Sequence, residues 1–213
     1  PEKGMIQIPT MLRQQLKSTE IIFGSKVAAV QGTEIRLEGG ENILADRLII
    51  ATQPDKFMKQ LVGQFAKPKS VVTLYFSLHK SFMSSAMLGL VPRENHLINN
   101  LVFMSDVSAA YATNGRALLS VSILDTELKE KELIKAVQSE LESLTLINAD
   151  FFKFVKSYHI TYAIPTVEDV KNSIPFTECK IADHVYLAGD YLLNGSINAA
   201  MASGRIAAEA VVH

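Results

Sequence analysis

The segment over residues 185–210 constrains the fold most, because an apolar run, a Gly-Asp pair and many small residues follow one another in it. The run over 185–188 predicts a strand covered on both faces, since such strands are continuously apolar. The small residues from Ile197 onward predict a helix that packs closely on a sheet. A strand, a polar loop and a helix in this order are typical of α/β proteins. Gly189-Asp190 then lies at the carboxyl end of a parallel strand, where the ligands of open α/β sheets bind.

The loop before the predicted helix combines a glycine with residues that favour helix starts. Asn194, Ser196 and Asn198 all suit the N-cap position, where a side-chain oxygen accepts a free backbone N–H. Gly195 has no side chain and would let the backbone approach a flat ring closely. The first turn of a helix also carries free N–H groups and roughly half a positive charge. This loop therefore suits a planar ligand that becomes anionic.

One motif of dinucleotide sites is absent from the sequence. No Gly-x-Gly-x-x-Gly occurs in the 213 residues, although this motif forms the turn that holds the pyrophosphate of a dinucleotide. The chain also starts at Pro1 and leads directly into a predicted helix. We therefore expect these residues to be the carboxy-terminal part of a longer protein.

The composition excludes several classes of partner. A formal net charge of -1, with 21 Lys and Arg residues scattered along the chain, provides no basic surface for nucleic acid. No apolar run reaches the roughly 18 residues of a membrane span, so we expect no transmembrane segment and leave peripheral membrane contact and oligomeric state open. The single cysteine, Cys179, fits a structural thiol in a cytoplasmic protein. The histidines lack the spacing of metal ligands, so no metal is expected.

Periodicity along the chain predicts two bodies, one inserted into the other. Helices are predicted over 5–16, over 55–65 and from Asp125 or Thr126 to 144. Strands are predicted over 20–23, 26–30, 34–37 and 48–51, then over 71–78, 97–104, 116–124 and 151–162. The strands over 20–23 and 48–51 are expected to be covered on both faces. We expect an α/β fold: residues 1–66 and 166–213 form a layered body, and residues 67–165 form an α+β insert with a mixed or antiparallel sheet and a helix.

Four segments, in order, carry a resemblance to one enzyme family. Residues 1–12 are similar to a Gly-Gly-Met loop and its helix, with Lys3 in place of a first glycine. Residues 26–30 resemble a strand beside an adenine, 45–54 a strand that returns to the dinucleotide, and 187–208 a carboxy-terminal flavin motif. The family is that of the flavin-dependent amine oxidases, protoporphyrinogen oxidases and phytoene desaturases. The resemblance covers nearly the whole chain and lacks the family's amino-terminal half.

The resemblance implies an oxidoreductase with FAD as its cofactor. Residues 1–66 and 166–213 would form part of a Rossmann-like FAD-binding domain, and 67–165 the substrate domain. The backbone of Val27 would pair with the adenine, Asp190 would lie beside the ribityl and pyrophosphate groups, and the Ile197 N–H would donate to the flavin O2. The other expected cofactor contacts are Thr52, Gly189, Gly195, Ser196 and Asn198. Without the missing half, we expect the chain alone to be inactive and to bind FAD weakly or not at all.

The resemblance also bears on the reaction. Amine oxidases commonly carry a lysine on the first substrate-domain strand, where an ungapped comparison puts Val72 and a small shift would put Lys67 or Lys69. They also often carry an aromatic residue where this sequence has Ser196. Tyr158 and Tyr162 fall where the last substrate strand of the family approaches the flavin, and they are the expected pocket residues. We expect hydride removal from a C–H or C–N bond of a bulky, apolar small molecule, with the catalytic residues unassigned. Oxidation of an amine and a non-catalytic binding or scaffold domain are the alternatives.

Overall fold

The computed structural model describes residues 2–56, 58–61, 63, 65–83, 85–92, 94–112, 115–124 and 126–212. The chain forms two compact units: Pro1–Thr19 with Ser70–Ala163, and Glu20–Lys69 with Ile164–His213. We refer to them as the first and the second unit. The sequence prediction placed residues 1–66 and 166–213 in one body, so it differs from the observed units in the position of Pro1–Thr19.

The helices and strands are numbered in chain order. The strands are β1 (Val27–Gln31), β2 (Glu34–Leu37), β3 (Asn42–Leu44), β4 (Leu48–Ile50), β5 (Lys69–Leu78), β6 (Leu88–Leu90), β7 (Ile98–Phe103), β8 (Ala117–Leu124), β9 (Lys153–Ile164), β10 (Lys180–Ala182) and β11 (Val185–Leu187). The helices are α1 (Gln7–Gln15), α2 (Met104–Val107), α3 (Glu130–Thr145) and α4 (Ile197–Val212). No helix within the described ranges is long and apolar enough to cross a membrane.

The second unit is layered. β1, β2 and β3 form an antiparallel meander, and β10, β11 and β4 form a sheet in that order, with β11 antiparallel to β10 and parallel to β4. Successive side chains of a strand point to opposite faces. Val185 and Leu187 therefore pack with Val30 of the meander, while Tyr186 and Ala188 pack with α4. The predicted strand over 185–188 is thus covered on both faces, and the predicted α/β class is confirmed.

The first unit is built on a five-stranded sheet with the order β6-β7-β8-β5-β9. The central pair is antiparallel, from Val71 opposite Leu124 to Leu78 opposite Ala117. β7 is antiparallel to β8, and β6 is antiparallel to β7. The strands predicted over 71–78, 97–104 and 116–124 are confirmed, since each coincides with β5, β7 or β8 to within two residues.

Helix α3 and a group of aromatic rings bury the sheet of the first unit. Phe76 of β5 is fully buried and meets the rings of Phe152 and Phe154 edge to face, with centroids 6.4 Å and 6.2 Å away. The apolar side of α3 joins the same core through Leu133, Val137 and Leu141.

Helix α1 forms where its apolar spacing predicts, yet none of its residues is buried. The turn before it attaches to the loop that follows α2. Ser108 Oγ donates a 3.2 Å hydrogen bond to the carbonyl of Glu2, and a Cβ at Gly4 would lie 3.7 Å from the ring of Tyr111. These contacts explain why the first residues belong to the first unit.

The strand predicted over residues 20–23 is wrong. This segment forms no strand, and Ile22 and Phe23 are 59% and 70% exposed. An apolar run becomes a strand only where a neighbouring strand pairs with its backbone. Within the described residues no strand pairs with this segment.

The continuous helix predicted over 55–65 is also wrong. Two 3-10 turns, Pro54–Lys56 and Lys59–Leu61, take its place. Met58 and Leu61 are buried as their spacing predicts, whereas Phe57 and Val62 lie outside the described residues. Gly63 has a φ of 80°, and this left-handed geometry cannot continue a helix.

Helix α3 begins later than the position predicted from Asp125 and Thr126. Thr126 Oγ1 accepts the N–H of Leu128 at 3.2 Å, so this threonine forms a local turn and does not cap the helix. Asp125 lies outside the described residues. Leu144, predicted on the apolar side of the helix, is 41% exposed.

Cys179 is buried in the second unit. Its thiol donates to the carbonyl of Phe176 at 2.8 Å, and burial raises its pKa above 9.0. A thiol that stays protonated at neutral pH is a poor nucleophile, which agrees with the predicted structural role.

Candidate functional site

The carboxyl ends of the two parallel strands meet at one edge of the sheet in the second unit. Ile50 at the end of β4 lies opposite Leu187 at the end of β11, and the carbonyl of Ile50 accepts the N–H of Ala188 at 2.9 Å. Thr52 and Gly189 each follow these positions by two residues. The strand register therefore brings two of the predicted cofactor contacts to the same edge.

Gly189 is tied to helix α4 by Ser203. The Gly189 N–H donates to Ser203 Oγ at 2.9 Å, and this hydroxyl donates to the carbonyl of Ala200, also at 2.9 Å. Ser203 is fully buried, so water does not compete for these bonds. The end of β11 is thus held against the second turn of α4.

Asp190 begins a 3-10 turn, Asp190–Leu192, directly after Gly189. Burial raises the pKa of its carboxyl group above 3.8, and hydrogen bonds from the N–H groups of Tyr191 and Asp190 itself oppose part of this rise. A carboxylate has about four acceptor positions. Asp190 therefore retains the capacity to accept a hydrogen bond from a ligand hydroxyl.

Ser196 is the residue that caps helix α4. Its Oγ accepts the N–H of Ala199 at 3.1 Å and donates to Asn194 Oδ1 at 2.7 Å. Of the three predicted N-cap residues, Asn194, Ser196 and Asn198, it is Ser196 that caps the helix, and Asn194 accepts its hydroxyl. Ile197 and Asn198 form the exposed first turn of α4, where the backbone N–H groups have no intrahelical partner.

Gly195 lies against the end of β9. A Cβ at this position would be 2.6 Å from Ile164 Cγ2 and 3.3 Å from Pro165 Cδ. The absence of a side chain at Gly195 therefore lets its backbone lie close to these two side chains, and its approach to a cofactor ring stays a prediction. Any larger residue would displace Ile164 or the start of α4.

Val27 begins β1 at an irregularity in the meander, where it lies opposite Leu37 and the register shifts before Ala29. Its side chain is half-buried against the core shared by the meander and the sheet. The residues that follow it line a groove of 640 Å³. The groove has mixed charge, contributed by Glu34, Arg36, Asp55, Lys56 and Lys59. The predicted adenine contact thus borders a polar groove.

The predicted substrate residues lie on β9 in the first unit. Tyr158 and Tyr162 are four residues apart, so they share one face of the strand. Tyr158 is exposed and meets Tyr75 edge to face at 5.9 Å, whereas Tyr162 is half-buried. Val72, which the ungapped comparison expects at the position of the amine oxidase lysine, packs against the core of this unit.

Two residues of the site were not predicted from the sequence. Ser203 was expected only to permit close packing of α4, and no role was expected for Tyr191. The hydroxyl of Tyr191 lies within hydrogen-bond distance of the carbonyls of Ala188 and Thr52, and its single proton is shared between these two acceptors. The sequence shows Ser203 among small helical residues and Tyr191 directly after Gly-Asp. It does not show their partners Gly189 and Thr52, which are distant in sequence.

Ser203→Ala is expected to lower the free energy of unfolding by about 1–3 kcal/mol, because the half-buried N–H of Gly189 would lose the buried hydroxyl that accepts it. Denaturant unfolding followed by circular dichroism measures this change. Ser143→Ala is the matched control, since Ser143 is exposed on α3 and only donates to the carbonyl of Ser139. Equal stability changes for the two variants would show that the bond to Gly189 contributes nothing.

Comparison with known proteins finds a family model and solved structures that match most or nearly all of the chain. A family model described as flavin containing amine oxidoreductase matches residues 1–212. The crystal structure of reduced UDP-galactopyranose mutase has 15% sequence identity and a TM-score of 0.71, with 97% of this chain and 50% of that chain covered. Wild-type putrescine oxidase bound to putrescine has 12% identity and a TM-score of 0.64, with 99% and 53% covered. None of the curated proteins matches.

A more distant structure, the PF1083 protein from Pyrococcus furiosus, has 12% identity and a TM-score of 0.57, with 88% of this chain and 46% of that chain covered. The chain therefore spans about half the length of these solved structures. At such low identity the structural likeness shows a shared fold.

Proposed function

Since this chain belongs to the flavin-containing amine oxidoreductase family, whose cofactor is FAD, we propose that it supplies one wall of the FAD site of an oxidoreductase. The supporting observation is the edge where β4 and β11 end side by side and Asp190 leads toward α4. Ligands of open α/β sheets bind at such edges.

The proposed contacts follow from the groups available at that edge. Asp190 would accept a hydrogen bond from a ribityl hydroxyl, and the N–H of Ile197 would donate to the flavin O2. The free N–H groups of the first turn of α4 would also stabilise negative charge on the reduced ring. Thr52 and Gly189 would line the same edge, and Val27 would contact the adenine. Gly195, Ser196 and Asn198 would shape the helix start.

We further propose that the reaction is hydride transfer from a C–H or C–N bond of a bulky, apolar substrate. The flavin supplies the two-electron acceptor: the substrate bond is oxidised and the ring is reduced. Val72 packs in a core and Ser196 caps a helix, so neither position supplies the lysine or the aromatic ring common in amine oxidases. Tyr158 and Tyr162 are the proposed substrate contacts.

Amine oxidation is the second candidate, and the family description favours it. A non-catalytic domain that keeps the fold is the third candidate. We also propose a cytoplasmic location, because the chain has a single cysteine and it is buried.

The test is FAD uptake by the complete product of the gene that encodes this chain. We expect a yellow protein with one FAD per polypeptide, whose flavin absorbance is bleached anaerobically by an apolar substrate. Bleaching by amines alone would favour the amine oxidase, and failure to take up FAD would refute the enzyme proposal. The 213 residues prepared alone should bind FAD weakly or not at all, because the groups of the fingerprint motif are absent. Tight binding by them would contradict the proposal of a partial site.

A further inference from the structure

The ring of Tyr191 lies where a side chain of residue 189 would be. A Cβ at Gly189 would be 2.1 Å from Tyr191 Cε1 and 2.6 Å from its Cδ1. Gly189 has a φ of 170°, which is extended backbone that any residue adopts. The glycine is therefore required by the neighbouring ring and not by its own backbone conformation.

Three further contacts fix this ring over the ends of the parallel strands. The Tyr191 hydroxyl lies 3.3 Å from the carbonyl of Ala188, after β11, and 3.4 Å from the carbonyl of Thr52, after β4. The ring of Phe65 meets Tyr191 edge to face, with centroids 5.2 Å apart. One side chain thus connects the carboxyl ends of both strands.

The backbone of Tyr191 acts on the neighbouring carboxylate, because its N–H is one of the two donors to Asp190. Tyr191 therefore supplies both the ring beside Gly189 and a backbone donor to Asp190. Tyr191 is also half-buried.

We propose that Tyr191 is a positioning residue of the FAD site: its ring fills the space left by Gly189, and its hydroxyl holds the ends of β4 and β11 together, which places Asp190 for the cofactor. This inference rests on the proposed function. It differs from a simple packing role, because packing alone would affect stability and leave the properties of bound FAD unchanged.

The experiment is a double-mutant cycle at positions 189 and 191 in the complete gene product. Gly189→Ala and Tyr191→Ala should each weaken FAD binding about tenfold or more. The alanine at 189 would displace the ring of Tyr191, and the alanine at 191 would remove the hydroxyl that contacts both strand ends. In the double variant the alanine at 189 should add little further loss, because the ring it displaces is already absent. Tyr191→Phe keeps the ring and should lose less affinity than Tyr191→Ala.

The second readout is the reduction potential of FAD at saturating cofactor, measured on folded protein. Tyr191→Ala should shift it, whereas Phe151→Ala, which removes an exposed ring of the first unit, should leave both affinity and potential unchanged. If the wild type binds FAD and Tyr191→Ala matches it in affinity and potential, the positioning role is overturned. If the wild type binds no FAD, the proposed function is overturned and this inference with it.

Discussion

Replacing Asp190 with alanine should weaken FAD binding by the complete protein about 10- to 150-fold, the loss expected for one hydrogen bond to a charged group. The reason is that the proposed acceptor for a ribityl hydroxyl would disappear from the strand edge. Titration of the apoprotein with FAD, followed by quenching of flavin fluorescence, gives the affinities.

The matched control for this variant is Asp183→Ala. Asp183 follows β10, its side chain is 93% exposed, and among the described residues its ion-pair partner is Lys180, so its loss should leave FAD affinity unchanged. If the two variants bind FAD equally well, Asp190 does not contact the cofactor.

The same carboxylate should reduce the stability of the protein without FAD. Burial raises the pKa of Asp190 above its unfolded value of 3.8. Between pH 3.8 and the raised pKa, the folded state therefore holds a proton that the unfolded state has released. The stabilisation is fully present below pH 3.8 and is lost as pH rises through the raised pKa. Asp190→Asn removes this dependence. The Asp190→Asn variant should therefore gain stability relative to wild type as pH rises from 3.8 through the raised pKa. Denaturant unfolding at a series of pH values measures this gain.

Phe76→Ala should lower the free energy of unfolding of the first unit by about 3–5 kcal/mol, because it removes a fully buried ring and leaves a cavity. The ring also makes edge-to-face contacts with Phe152 and Phe154, which add to the loss. The measurement is denaturant unfolding of the 213-residue chain, followed by circular dichroism.

Phe151→Ala is the control for this loss. Phe151 is 64% exposed, and truncation of an exposed ring should cost less than about 1 kcal/mol. A loss at Phe76 no larger than at Phe151 would contradict the placement of Phe76 in the core of the sheet.

Elements with strong local patterns could be predicted from the sequence. The run over 71–78 forms β5, because it is rich in β-branched and aromatic residues, which favour strands. The Gly-Asp pair was correctly placed at the end of a parallel strand, since an apolar run of that length followed by a helix favours a strand in an α/β sheet. Ser196 was among the predicted caps because its hydroxyl suits that position in any helix.

Other features depend on partners that are distant in sequence. Residues 20–23 have the composition of a strand, but none of the strands that the structure describes pairs with them. Gly195 was predicted from its lack of a side chain, but its neighbour Ile164, 31 residues earlier, was not. Tyr191 contacts both Ala188 and Thr52, and Thr52 lies 139 residues before Tyr191 in the chain. No local pattern specifies such contacts.

Hydrogen–deuterium exchange of the complete protein with and without FAD tests the central proposal most directly. The proposal is that the edge formed by Thr52, Gly189 and Asp190, with the first turn of α4, is a wall of the FAD site. It predicts that FAD slows exchange over 189–198 and leaves exchange in α3 unchanged. Bound FAD with unchanged exchange over 189–198 would contradict it.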